Sequence, residues 1–174
     1  MLLKDFYYYL PRELIAQYPS PVRDKCRLLV LSKKGKIEHR KFYEIGEYLR
    51  KGDVIVLNNT RVIPARLKGK KETTGGGVEI FLLQKKEDGS WECLLRPARR
   101  LKEGTVIIFP GTHLSAKVLK KGEQSKGVVE LTCSSHLKEE ILKAGQVPLP
   151  PYIKRPFGPV DTDKEKYQTI YALQ

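Results

Sequence analysis

From Gly69 to Cys133 the sequence is cut into short apolar runs by Gly75, Gly76, Gly77, Gly89, Gly104, Gly111, Gly122 and Gly127. The runs between them, 78–83, 91–96, 105–109, 116–119 and 128–133, recur every 11 to 14 residues. Segments of that length are too short for helices that bury a face. Five of them with a turn signal after each predict a small closed or half-closed β-barrel. Gly75-Gly76-Gly77 leads into Val78-Glu79-Ile80, with no Lys-Ser/Thr and no helix behind it. It therefore reads as a hairpin turn rather than a phosphate-cradling loop.

On either side of this region the rhythm is mixed. Residues 27–31 form an apolar strand, 33–36 a turn and 36–40 its partner. Phe42, Ile45 and Leu49 fall at helical spacing and predict an amphipathic helix. The β-branched run 54–57 fits a strand buried on both faces. After the barrel region, Ser135 is the expected N-cap of a helix whose apolar face is Leu137, Ile141 and Leu142 and whose stop is Gly145. Pro148-Leu149-Pro150-Pro151 is stiff and extended. Thr162 and Glu165 have capping-box spacing before a helix through Tyr167 and Tyr171. That helix reaches the end of the sequence with its apolar partners missing, which predicts a segment that is frayed or held by a neighbouring chain, and a chain that is part of something longer. The fold class expected is a mixed α/β domain, incomplete here, with an inserted small β-barrel. Its boundaries are 1–66 plus 147–174 for the first domain and 67–146 for the second.

Composition narrows the function classes. No apolar run approaches the roughly 18 residues of a membrane span, so no membrane partner is expected. The start of the sequence lacks the basic flank and apolar stretch of a signal peptide, which argues against secretion. Cys26, Cys93 and Cys133 form no C-x-x-C pair, and His39, His113 and His136 are scattered, so neither a metal site nor a disulfide framework is expected. The net charge is +13. Residues 1–60 carry 12 basic and 7 acidic side chains, 61–130 carry 15 and 8, and 131–174 carry 6 and 5. An excess spread over three quarters of the chain fits a broad face for a polyanion, or equally a lysine-rich solvated surface.

Two clusters are candidate sites. Asn58-Asn59-Thr60-Arg61 follows the run 54–57 and offers amides, a hydroxyl and a guanidinium, a set able to hold a carboxylate, a ribose or a phosphate. A polar turn capping its own backbone is the plainer alternative. Arg96, Arg99 and Arg100 place three guanidiniums at a strand end and are candidates for gripping a nucleic-acid backbone, where a solvated charge run is the alternative. No Ser-His-Asp, Cys-His or paired-carboxylate pattern stands out.

Four stretches carry a resemblance. They are Leu10-Pro11-Arg12-Glu13-Leu14-Ile15-Ala16-Gln17 with Arg23-Asp24 and Arg27-Leu28-Leu29-Val30; the run from Gly52 through Asn58-Asn59-Thr60-Arg61-Val62-Ile63-Pro64-Ala65-Arg66-Leu67; Pro148-Leu149-Pro150-Pro151-Tyr152-Ile153; and Tyr167-Gln168-Thr169-Ile170-Tyr171-Ala172. In order and spacing they resemble the S-adenosylmethionine:tRNA ribosyltransferase-isomerases of queuosine biosynthesis. The resemblance implies a cytoplasmic, monomeric enzyme without a metal. Its co-substrate would be S-adenosylmethionine and its partner the anticodon wobble position of tRNA. The ribosyl part of the co-substrate would pass to an aminomethyl-deazaguanine and rearrange to epoxyqueuosine, with loss of adenine and methionine.

The resemblance also makes Asn58, Asn59, Thr60, Arg61 and Arg66, with Tyr152, Tyr167 and Gln168, the substrate-binding candidates. The sulfonium would acidify the neighbouring ribose carbon for a general base, and water would have to be excluded. None of these residues is a convincing base. In the family the last motif leads into a further half of the protein, so this chain is expected to be a truncated form. A non-catalytic RNA-binding fragment is the alternative.

Overall fold

The structure is a computed structural model that describes residues 1–156 and 158–172. Its contacts divide into two compact units, Met1–Asn59 with Pro151–Gly158, and Thr60–Pro150 with Pro159–Gln174.

The second unit holds a closed barrel. Its strands are β3 (Arg66–Lys71), β4 (Gly77–Lys85), β5 (Trp91–Arg96), β6 (Val106–Ile108), β7 (Leu114–Lys121) and β8 (Lys126–Cys133), while β1 (Arg27–Leu31) and β2 (Ile37–Lys41) belong to the first unit. All the barrel pairings are antiparallel, in the order β4-β5-β8-β7-β6-β3, and β3 pairs β4 to close the ring. A two-residue strand, β9 (Gly145–Gln146), adds to β3 beyond β6, with Leu67 opposite Gly145 and Arg66 opposite Gln146. Strand side chains alternate faces. Leu67, Val78, Ile80, Leu82, Cys93, Leu95, Ile107, Ala116, Val118 and Val129 accordingly fill the interior. Irregularities at Leu82/Gln84 and Val118/Lys120 interrupt the register of β4 and β7, as bulges that bend barrel strands do.

The five expected strands are all present, and the structure adds a sixth. The sequence Arg-Leu-Lys-Gly-Lys-Lys of β3 has no β-branched or aromatic residue, yet its burial alternates with period two. Gly69 is the reason it fits. A Cβ there would lie 2.6 Å from Ile107 Cγ2 and 2.7 Å from the Ile108 carbonyl oxygen, so only glycine lets β3 lie this close to β6.

Helix α1 (Leu137–Ala144) is capped by His136 rather than Ser135 and makes no side-chain cap hydrogen bond. Ile141 is buried, but Leu142 is 44% exposed, and the buried place beside Ile141 is taken by Glu140. Its carboxylate accepts from the His113 backbone N–H and from Lys143 Nζ, each at 2.8 Å, tying α1 to the β6–β7 turn. The Lys143 ammonium and the His113 N–H hold the Glu140 carboxyl below its ordinary value of 4.5. A carboxyl lowered in the folded state stabilises the fold fully above the unfolded value, and that contribution is lost as pH falls through the folded one. Urea midpoints recorded between pH 6 and 3 should therefore drop more steeply for the native chain than for Glu140→Gln below about pH 4.5. Parallel curves for the two proteins would remove Glu140 from the account.

Helix α2 (Thr162–Lys166) is shorter than the expected stretch through Tyr171, and its N-cap is Asp161. Thr162 caps nothing; the Val160 N–H donates to the buried Asp163 carboxylate at 2.8 Å instead. The segment that follows is tied down rather than frayed. The Gln168 side-chain amide accepts from the Val62 N–H at 2.8 Å and donates to the Val62 carbonyl at 2.7 Å.

The first unit departs most from expectation. Its only sheet among the described residues is the β1–β2 hairpin. The stretch over Phe42–Tyr48 is a 3-10 helix with no buried residue, not an amphipathic α-helix packed on a sheet. The run 54–57 is not a strand at all. Val54 is 87% exposed and Val56 91%. A β-branched run is buried only where strands flank it on both edges and layers cover both faces, and the described residues of this unit provide neither. The described fold is thus mostly β, with no α/β sheet.

Candidate functional site

The site residues expected from the sequence fall in three places. In the second unit, Arg66 opens β3 on the outer face of the barrel. Cross-strand partners share a face, so the pairings Arg66–Phe81, Glu79–Arg96, Phe81–Leu94 and Arg66–Gln146 set these side chains side by side. The Arg66 guanidinium carbon lies 5.9 Å from the centre of the Phe81 ring. Its Nε is 3.9 Å from a Glu79 carboxylate oxygen, close enough for an ion pair and too far for a hydrogen bond. A cavity of about 130 Å³ is lined by Arg66, Glu79, Phe81, Leu94 and Arg96. Two buried polar atoms at this face lack a partner among the described residues: Arg66 Nε, a donor, and Gln146 Oε1, an acceptor. Glu79 and Gln146 carried no signal in the sequence reading, because their importance comes from the register of β3 with β4 and β9.

In the first unit, Tyr152 borders a groove of about 550 Å³ with Arg12, Glu13, Ile15, Gln17, Pro151 and Lys154. Gln17 is the clasp. Its Nε2 donates to the Tyr152 carbonyl at 3.3 Å, its Oε1 accepts from the Lys154 N–H at 2.6 Å, and its own carbonyl accepts from Arg155 Nε at 2.7 Å. The Arg155 guanidinium also stacks on Tyr18, 4.2 Å from the ring centre. Two stretches 135 residues apart in sequence thus share one wall. Arg12 and Lys154 give it positive charge, and Glu13 and the exposed Tyr152 give it hydrogen-bonding partners.

Asn58, Asn59, Thr60 and Arg61 are exposed and lie in irregular chain, not at the end of a strand. Tyr167 is exposed as well, while Gln168 spends its amide on Val62. That gives Gln168 a structural duty: it holds the last motif against the Val62–Arg66 stretch. Arg96, Arg99 and Arg100 are exposed around a short 3-10 turn, Ala98–Arg100. Lys71 Nζ donates to the Arg100 carbonyl, so another cation stands beside them. A further basic cavity, of about 280 Å³, has Lys120, Lys121 and Lys126 on its wall with Glu92 and Gly127.

Among the described thiols and carboxyls whose shift has a clear direction, none is tuned as a nucleophile or a base. Burial pushes the Cys93 thiol up to about 12, which makes it a core atom rather than a thiolate. The carboxyls of Glu38, Asp88 and Glu140 are shifted downward by their hydrogen bonds to Arg40, Ser90 and Lys143 respectively, the opposite of what a general base near neutrality needs. Among the described residues no cluster of His, Cys, Asp and Glu is arranged to hold a metal ion. No helix there is long and apolar enough to cross a membrane.

Comparison with known proteins adds what geometry leaves open. A family model described as "Queuosine biosynthesis protein" matches residues 3–174. The chain belongs to this family. Among curated members of the queuosine biosynthesis family, the S-adenosylmethionine:tRNA ribosyltransferase-isomerase of Sulfurihydrogenibium sp. is 49% identical over 173 residues, 99% of this chain and 50% of the relative. That of Pelotomaculum thermopropionicum is 45% identical over 175 residues, covering 100% of this chain and again 50% of the relative. A solved S-adenosylmethionine tRNA ribosyltransferase from Thermotoga maritima shares 43% identity over 81% of this chain and 48% of its own, with a TM-score of 0.40. The chain spans about half the length of the curated relatives it matches.

Proposed function

We propose that this chain supplies the first half of an S-adenosylmethionine:tRNA ribosyltransferase-isomerase, which moves and rearranges the ribosyl group of S-adenosylmethionine onto the wobble aminomethyl-deazaguanine of tRNA. The 49% identity to a relative of that name across 99% of the chain carries the reading. The exposed guanidiniums of Arg96, Arg99 and Arg100 and the Lys120–Lys126 cavity suit tRNA phosphates. The groove at Arg12, Tyr152 and Lys154 suits the polar, partly anionic groups of the co-substrate. In this reading residues 1–66 and 147–174 belong to one mixed α/β domain, whose sheet a second half completes, and 67–146 are inserted into it. The enzyme acts as a cytoplasmic monomer without a metal, and Asn58, Asn59, Thr60, Arg61 and Arg66 orient substrate. Mass spectrometry of tRNA carrying the precursor base, after incubation with S-adenosylmethionine and both halves, tests this. The epoxyqueuosine nucleoside is expected, and unchanged tRNA overturns the reading.

A second reading has one observation of its own. The barrel unit has a complete apolar core, whereas no described residue of the first unit is buried. A folded basic barrel can bind RNA without chemistry. Both readings expect tRNA retention to fall about tenfold between 50 and 200 mM salt if two or three phosphates are gripped. Retention that ignores salt, or none at low salt, would make the lysines and arginines a solvated surface only.

A further inference from the structure

We propose that the cavity on the outer face of β3, β4 and β5 binds a free α-amino acid with an apolar side chain, Glu79 taking the ammonium and Arg66 with Arg96 the carboxylate. The site lies wholly in the barrel unit. It is apart from the groove given above to S-adenosylmethionine, and its ligand is neither that co-substrate nor RNA.

Strand register builds the pocket in two rows. Arg66, Phe81 and Leu94 stand side by side across the three strands, and Glu79 and Arg96 form the next row. The charged groups are close without satisfying one another. Arg66 Nε is buried, has no hydrogen-bond partner among the described residues and stops 3.9 Å from the Glu79 carboxylate. Arg96 faces Glu79 in register, yet its guanidinium makes no hydrogen bond or ion pair among the described residues. Arginine and carboxylate side chains in contact usually close into short, often bidentate pairs. Polar groups left short of partners are costly where water is partly excluded, and they call for a ligand or a neighbour.

That pattern selects the ligand. A simple anion satisfies the arginines and is repelled by Glu79, while a simple cation meets two arginines. A dipolar molecule suits both, and its opposite charges must be adjacent because their partners are 3.9 Å apart. An α-amino acid carries its ammonium and carboxylate on one carbon and so meets that spacing. Its side chain then lies against Phe81 and Leu94, where an apolar group gains by leaving water and a charged one loses. The cavity of about 130 Å³ is well below the several hundred Å³ of a drug-sized or whole-cofactor site, which suits so small a molecule. Arg66 is also among the residues proposed above to orient substrate. A bound amino acid takes it out of use and inhibits; that consequence rests on the reading above, whereas the binding does not.

The test is a titration of the full chain with L-leucine, followed by calorimetry and by the backbone amide signals of Phe81, Leu94 and Arg96. L-leucine is expected to move these signals. Isocaproate, which lacks the amine, and isoamylamine, which lacks the carboxylate, should each bind about tenfold more weakly. Inorganic phosphate should leave the signals unmoved. Glu79→Gln is expected to lower L-leucine affinity about tenfold and leave that of isocaproate undiminished. Arg96→Met weakens both, and Lys138→Ala on α1 weakens neither. Isocaproate or phosphate binding as tightly as L-leucine overturns the proposal in favour of a plain anion site. S-adenosylmethionine moving the same signals at lower concentration overturns it in favour of a co-substrate site. Silence toward L-leucine overturns it as well, because the native chain carries no substitution that could unfold it. Selective L-leucine binding upholds the pocket even if the two halves make no epoxyqueuosine. Where they do make it, adenine release unchanged by saturating L-leucine overturns the inhibition.

Discussion

Incubated alone with S-adenosylmethionine and precursor tRNA, the 174-residue chain should release no adenine above the uncatalysed rate, and adding the polypeptide that corresponds to the relatives' second half should bring release on. The first unit supplies the reason. Val54 and Val56 are almost wholly exposed, and Phe6, Tyr7, Tyr8, Tyr9, Ile55 and Leu57 are largely so. Apolar area left in water forgoes about 25 cal/mol per Å² of stabilisation. A site that must exclude water and hold a base cannot be assembled on such a surface. The carboxyls of Glu38, Asp88 and Glu140 are held low by their hydrogen bonds, which suits none of the three to proton abstraction near neutrality. In the restored enzyme Arg61→Ala should reduce adenine release far more than Lys120→Ala. Arg61 lies in the stretch that Gln168 ties down, next to Val62, whereas Lys120 is one of several lysines on a barrel wall. Liquid chromatography of free adenine measures both effects. Release by the chain alone at the rate of the mixture would place the whole active site in this half.

Gly145→Ala should lower the thermal midpoint of the barrel unit by roughly 12 °C, corresponding to about 3 kcal/mol. The sequence presents Gly145 as a helix stop, where a left-handed conformation would demand glycine. Its φ is −84° at the end of α1, so conformation makes no such demand. Space does: a Cβ at this position would run into the Pro64 carbonyl oxygen and sit 2.7 Å from the Ile141 carbonyl oxygen and 2.9 Å from Pro64 Cβ. All three are parts of the fold that cannot swing aside. The chain must either tilt α1 or break the pairing of Gly145 with Leu67. Gly76→Ala is the matched control. A methyl there meets Thr74 Oγ1 at 3.5 Å and Lys71 Cδ at 3.9 Å, ordinary contacts, and its midpoint should stay within about 0.5 kcal/mol of the parent. Equal midpoints for the two variants, by circular dichroism, would show that the α1–β9 junction yields easily.

Local pattern was enough for the hairpin of the first unit and for much of the barrel. β1 and β5 are where their apolar runs put them, to the residue, because a run bounded by turn residues marks its own ends. β3 was invisible, because what makes Arg66–Lys71 a strand is the fit of Gly69 against β6 and not its own side chains. The run 54–57 fails for the converse reason. Its composition is that of a buried strand, but burial is a property of neighbours, and none of the described residues covers it.

Membership of the queuosine biosynthesis family and the glycine-punctuated strands are determined by the sequence alone, since motif order and short-range periodicity are written along one chain. The juxtapositions were decided only by the tertiary structure: Glu79 and Arg96 beside Arg66, Gln146 opposite it, Gln17 clasping Tyr152 and Lys154, Gln168 on Val62. Each joins residues whose meeting depends on strand register or on loop closure over 13 to 137 positions of chain. A one-residue slip of register would turn every one of the strand side chains to the opposite face, so no local feature of the sequence could have specified them.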